Sequence, residues 1–205
     1  MMENRNKLIS LVWILLICLL SAGGCATSKP ADFFVLSPIN KVDLEQTPPP
    51  LPLNIIVGIG PVSIPRHLDR SEIVIKKGPN TIGLSDFNRW AGPIDDDILS
   101  VLRENLSILL STDNITLYPW QSHMNVACQI VVEIIRFDGC PGDRVDLCAR
   151  WKILDPKKDK LIVLKQTQVT EQLISKSFQA LVEGESRALA ALSRDIAAAL
   201  RAEYQ

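Results

Sequence analysis

Two stretches near the middle of the chain alternate so regularly that few folds remain open to it. In residues 126–137, Val126, Cys128, Ile130, Val132 and Ile134 fall at every second position, and in residues 144–154 Val145, Leu147, Ala149, Trp151 and Ile153 do the same. A period of two puts each set on one face of a strand. The residues between them, Asp138-Gly139-Cys140-Pro141-Gly142-Asp143, are turn formers. The pattern predicts a hairpin with one buried side. Pairing outward symmetrically from the turn sets Ile130 opposite Trp151 and Glu133 opposite Cys148. On that register Cys128 faces the core, Cys148 the opposite surface, and Cys140 lies in the turn. Any disulfide among the three is then geometrically poor, and a Cys/His metal site using His123 has the same defect.

The rest of the chain extends this sheet and covers it. Residues 32–36, 54–62, 72–77, 81–84, 115–118 and 161–173 read as further strands, with Lys77-Gly78-Pro79-Asn80 as a turn. From Pro93 the period changes: Ile94, Ile98, Val101, Leu102, Leu106, Leu109 and Leu110 recur at helical spacing. Asp95, Asp96 and Asp97 place negative charge in the first turn, where the helix dipole favours it. Consecutive carboxylates fan out around a helix, so they do not converge on a metal. A second helix closes the chain over residues 178–202, with Leu181, Ala188, Leu192, Ile196 and Ala199 along one side. The expected fold is α+β: a mixed or antiparallel sheet of about seven strands, with two long helices packed on one face. Pro48, Pro49, Pro50 and Pro52 make residues 39–52 a stiff extended connector.

The start of the chain sets its physical situation. Arg5 and Lys7 precede an apolar run over residues 8–20, which ends in Ala22-Gly23-Gly24 and then Cys25. A positive segment, an apolar segment and small residues form a secretion signal. Cys25 stands where a bacterial lipoprotein carries its acylated cysteine. The apolar run is shorter than the ~20 residues of a membrane span. The expected organisation is a signal peptide over 1–24, a lipidated N-terminus and tether over 25–31, and one domain over 32–205. Ala26, where Asp would signal retention in the inner membrane, points to the periplasmic face of the outer membrane. Six residues separate Cys25 from Asp32, a reach of only ~20 Å, so the domain is expected close under that membrane. Of 22 basic and 23 acidic side chains the signal removes two and one, leaving a formal charge of −2. Such a balance attracts neither nucleic acid nor an anionic bilayer.

Assembled catalytic chemistry is missing from the sequence. Gly58-Ile59-Gly60 ends a strand, but the prolines after it exclude the helix that a dinucleotide fold requires. His67-Leu68-Asp69 cannot face each other as a catalytic pair, and no G-x-S-x-G nucleophile occurs. No cofactor or metal is expected.

Residues 57–74, VGIGPVSIPRHLDRSEIV, resemble the signature of the PqiC-like auxiliary lipoproteins: G-x-G-P-V, then I/L-P, then L-D-R before a strand. Arg89-Trp90-Ala91-Gly92-Pro93 resembles that family's R-W-A-E-P, with Gly92 in place of Glu. Phe34-Val35-Leu36, Tyr118-Pro119-Trp120, Arg136-Phe137-Asp138 and Ala149-Arg150-Trp151 fit other positions of the family. The resemblance implies a non-enzymatic outer-membrane lipoprotein in a transenvelope phospholipid-transport system. Its implied partners are a periplasmic MCE-domain protein and an inner-membrane transport protein, and a homo-oligomer stays open. Docking of a periplasmic tunnel or ring at the outer membrane is the implied mechanism. The alternative is a carrier that takes lipid into its own cavity. Arg66, Asp69, Arg70, Arg89 and Trp90 are the candidate residues, either as a partner-contact surface or as structure. In the structural reading Leu68 and Trp90 are core, and Asp69-Arg70 or Arg89 pairs with a nearby carboxylate.

Overall fold

The computed structural model describes Trp13 and residues 29–40 and 55–204. Cys25, most of the proline connector and the signal segment apart from Trp13 lie outside the described residues. The chain divides into two compact units, Met1–Pro30 and Ala31–Gln205, and the sheet and the two helices packed on it belong to the second. The strands are β1 (Asp32–Phe34), β2 (Ile56–Ser63), β3 (Glu72–Gly78), β4 (Thr81–Trp90), β5 (Ile115–Leu117), β6 (Val126–Cys140), β7 (Arg144–Asp155) and β8 (Lys160–Gln172). The helices are α1 (Ile94–Leu110) and α2 (Phe178–Tyr204). The fold is α+β, as the patterning predicts, with a mixed sheet curled into a half-barrel.

Strand β6 is the spine of the sheet. One edge pairs with β7 from Gln129 to Cys140, and β7 in turn pairs antiparallel with β8. The other edge is shared: β2 runs parallel to the first half of β6, and β3 meets it at Ile75↔Gly139. β5 lies outside β2, β4 outside β3, and β1 parallel to β4 at the margin. β4 runs to Trp90 rather than stopping near Leu84, because it has β3 on one side and β1 on the other to satisfy its backbone.

The hairpin is present, but its register differs from symmetric pairing. Val132, not Ile130, faces Trp151, and Arg136 faces Cys148, while Glu133 faces Arg150. Two physical causes act together. The ladder continues to Cys140↔Arg144, so the loop is only Pro141-Gly142-Asp143, and a bulge at Ile135 inserts one extra residue. The bulge also reverses the alternation. Val126 to Ile134 bury even-numbered residues, whereas beyond it Phe137 and Gly139 are buried and Ile135 and Arg136 face solvent.

Both helices pack on the sheet and on each other. All seven apolar positions of α1 read from the sequence are buried, as are Leu181, Ala188, Leu192, Ile196 and Ala199 of α2. Burying each Leu, Ile or Val among them contributes about 1.5–3 kcal/mol. Polar links fix the seams. The Trp151 indole donates to Thr167 Oγ1 (3.0 Å), which donates to Asp195 of α2 (2.7 Å). Arg201 of α2 donates to the Leu109 carbonyl at the C-terminal end of α1.

The segment leaving β1 crosses this helix layer in the grip of side-chain acceptors. Leu36 N–H donates to Asp97 Oδ2 (2.7 Å), Ser37 N–H to Ser186 Oγ (3.0 Å) and Ile39 N–H to Asn105 Oδ1 (2.7 Å). Pro38, which has no N–H, fills the one gap in the series. Asn105 is fully buried, and its amide also donates to Ser193 Oγ of α2 (3.0 Å). Asp97, one of the acidic residues of the first turn of α1, therefore holds the N-terminal segment. Burial pushes its carboxyl above the usual range, and the Leu36 N–H pulls it partly back. Replacing Asn105 with Ala strands the Ile39 N–H and empties a buried polar node. A loss of ~2–3 kcal/mol in urea unfolding is expected, and a loss under ~0.5 kcal/mol would contradict this role for Asn105.

Candidate functional site

The signature residues form two clusters, one on each part of the β6 edge. In the first, Gly58 and Gly60 of β2 lie under the aromatic residues that follow β5. A Cβ on Gly58 would stand 2.6 Å from the Trp120 ring, and Gly60 has φ +111° with Tyr118 Cβ 3.0 Å from where its own Cβ would be. Only glycine permits both the approach and that backbone. Tyr118 N–H donates to the Ile59 carbonyl (2.8 Å), Gln129 Nε2 donates to the Gly60 carbonyl (2.8 Å), and the Tyr118 and Trp120 rings meet edge to face at 5.5 Å. The G-x-G-P and Y-P-W motifs are two halves of one packing unit.

The second cluster holds the candidate residues. The loop after β2 dips at Leu68, which is buried, and leaves Arg66, Asp69 and Arg70 exposed. Trp90 at the end of β4 is buried, and its N–H donates to the Ser71 carbonyl (2.8 Å). Arg89 is half-buried and stands across from Phe33 of β1 and Glu72 of β3. Among the described residues, Asp69, Arg70 and Arg89 make no ion pair, so the expected structural salt bridge is not formed there. Charges on an exposed loop keep more solvation than an ion pair returns. Gly92, where the family motif carries Glu, is exposed, and a Cβ there would meet nothing within 4 Å.

One residue of this cluster has no place in the sequence reading. Glu185 of α2 is 2% exposed, and its side chain helps to line a cavity of about 10 Å³ with Leu68, Val74, Trp90, Ile94 and Phe137. Its Oε2 has no hydrogen-bond partner among the described residues, and burial pushes its pKa up to about 8. A signal was present: Glu185 stands four residues after Leu181 and three before Ala188, on the apolar stripe of α2.

The thiols and imidazoles do not assemble. Cys128 is buried, and desolvation pushes its thiol up to about 12. Cys148 is on the face away from the helices but covered, and it lines with His67 an open groove of about 550 Å³ bounded by Lys76 and Asp138, which pair at 3.2 Å. His67 and Cys148 thus line one groove. Among the described residues no group of three or more His, Cys, Asp or Glu is placed to hold a metal.

Glu185 makes stability depend on pH in a defined direction. Its carboxyl stays protonated in the folded state up to about pH 8, while the unfolded chain ionises it from ~4.3. Stability from this group is full below the unfolded value, falls as pH rises between the two, and is level above. Urea unfolding at pH 5 and pH 8 should show a loss that shrinks in Glu185→Gln. An identical loss in the variant would assign it to other groups.

The model of the ABC-type transport auxiliary lipoprotein component matches residues 35–197. In fold the chain is similar to a crystal structure of an uncharacterised protein, with TM-score 0.68 and 16% identity over 84% of this chain and 99% of the other. It is equally similar to a protein from Xanthomonas campestris, with TM-score 0.68 and 13% identity over 84% and 98% of the two chains. No curated protein matches the sequence significantly. The family is a transport auxiliary lipoprotein component. Among the described residues no helix is long and apolar enough to cross a membrane. With the family match spanning most of its length and the two signature clusters packed as described, the chain belongs to the PqiC-like ABC-type transport auxiliary lipoproteins.

Proposed function

We propose that the chain is the outer-membrane-anchored component of a transenvelope phospholipid-transport system of the MCE type, and that it docks the periplasmic tunnel or ring at that membrane. The observation that carries the reading is the shortness of the free tether. β1 begins seven residues after Cys25, and the backbone is bonded to the helix layer from Leu36. A domain tied within ~20 Å of its anchor cannot shuttle across the periplasm, so an inner-membrane transport protein must reach it through a long periplasmic partner. The exposed loop with Arg66, Asp69 and Arg70 is the contact surface we assign to that partner.

A lipid carrier finds some support in a groove of about 560 Å³ between residues 33–40 and α2, within the ~300–1,000 Å³ of small-molecule sites. That groove is open and lined by Gln179, Glu183, Arg187 and Arg194 as well as by apolar residues. An open groove with charged lining would leave an acyl chain exposed to water, so docking is the better-supported reading.

A photo-crosslinker placed at Arg66 or Arg70 in cells should capture an MCE-domain protein, and Ala26→Asp, which moves the anchor to the inner membrane, should impair membrane integrity. Capture of only an inner-membrane protein without a sizeable periplasmic part, or full activity of the relocated variant, would sink docking and favour a carrier.

A further inference from the structure

Phe33 is 67% exposed and Val35 57% exposed, although both lie in a segment whose neighbours are tightly held. Side chains alternate here. Phe34 turns inward, with its ring 6.4 Å from that of Phe178, and Leu36 is buried at 4%. The Phe34 carbonyl accepts from Ala91 N–H (2.9 Å), and Leu36 and Ser37 N–H are bonded to Asp97 and Ser186. Phe33 and Val35 cannot turn in without breaking these bonds. The fold thus fixes two large apolar side chains outward, on a marginal strand. Arg89 stands beside them as the cross-strand partner of Phe33, and among the described residues it makes no ion pair. At the other end of the Phe34–Phe178 contact, the loop leading into α2 carries Ile174, 94% exposed.

We propose that the face carrying Phe33, Val35 and Arg89 lies against the phospholipid headgroups of the membrane that holds the acyl anchor, and sets the orientation of the domain on it. The inference rests on the anchoring reading above and adds the surface that meets lipid. Chain length commits the patch to that occupant. Phe33 is eight residues from Cys25, at most ~29 Å when fully extended, so the bilayer surface is always within reach. Ile82 and Leu84 on β4, and Leu161 and Leu164 on β8, are also exposed but have no comparable tie. The chemistry suits the headgroup region. An aromatic ring and a branched aliphatic side chain enter the acyl boundary, while a guanidinium stays at phosphate level. Acyl chains already secure attachment, so the contribution of the patch is orientation.

The test uses the acylated mature protein, its acyl chains verified by mass spectrometry, in vesicles of phosphatidylethanolamine with a minority of phosphatidylglycerol. Indole fluorescence is compared between vesicles with brominated and ordinary acyl chains, for Phe33→Trp, for Val35→Trp as a second probe, and for Ile82→Trp as the control, each corrected for the parent protein. Bromine should quench the probes at 33 and 35 about two-fold and leave the control unchanged, as shallow insertion of this strand requires. Quenching at 33 and 35 no greater than at 82, in protein that carries its acyl chains, overturns the lipid contact and leaves the anchor standing. Shielding of these probes from acrylamide that grows with protein concentration, without bromine quenching, also overturns it and assigns the face to a second copy of the chain. Absence of acyl chains instead overturns the anchoring reading itself.

Discussion

The buried amide of Asn105 joins three parts of the chain at one point. Its oxygen takes the Ile39 N–H and its nitrogen reaches Ser193, so the N-terminal segment, α1 and α2 share one polar node inside an apolar layer. Asp97 and Ser186 continue the same work toward the N-terminus. Without Asn105 the Ile39 N–H would be buried unpaired, at a cost of about 1–3 kcal/mol, and without Asp97 and Ser186 the part-buried N–H groups of Leu36 and Ser37 would lose their acceptors as well. With them, the path that leads from the tether is a fixed part of the fold. On the anchoring proposed above, the free part of the tether then ends where this path begins.

The residues shared with the family divide by physical role. Gly58 and Gly60 make room for Trp120 and Tyr118. Leu68, Trp90 and Phe137 close around Glu185, Trp151 is tied through Thr167 to Asp195, and Asp138 pairs with Lys76. These are requirements of a half-barrel on which two helices lie. What stays at the surface is the charged loop of Arg66, Asp69 and Arg70, with Arg89 beside Phe33. The docking role proposed above needs a rigid body and a few exposed contacts, and the signature encodes mainly the first.

Period carried the sequence reading far, because both helices and the hairpin bury one face and leave the other wet. The hairpin register escaped it, since neither the bulge at Ile135 nor the extension of the ladder to Cys140 is marked by the alternation of apolar residues. The Asn105 node joins residues 66 and 88 positions apart, and single polar residues on an apolar stripe do not name their partners. Glu185 sat on such a stripe in plain view, and only its tertiary surroundings distinguish it from a solvated glutamate. The candidate charges were found through the family motif. Their exposure required the loop to be seen dipping at Leu68.

If the tether path is part of the folded body, its amides must share the stability of that body. Native-state hydrogen exchange read at Leu36, Ser37 and Ile39, against Leu102 and Leu106 in α1, measures this directly. The account predicts that Ile39 exchanges only through the opening that releases the α1 core, with the same free energy and denaturant dependence. Rapid exchange of Leu36 and Ile39 while α1 stays protected would contradict it, and would leave the domain free to swing on a longer tether than its sequence implies.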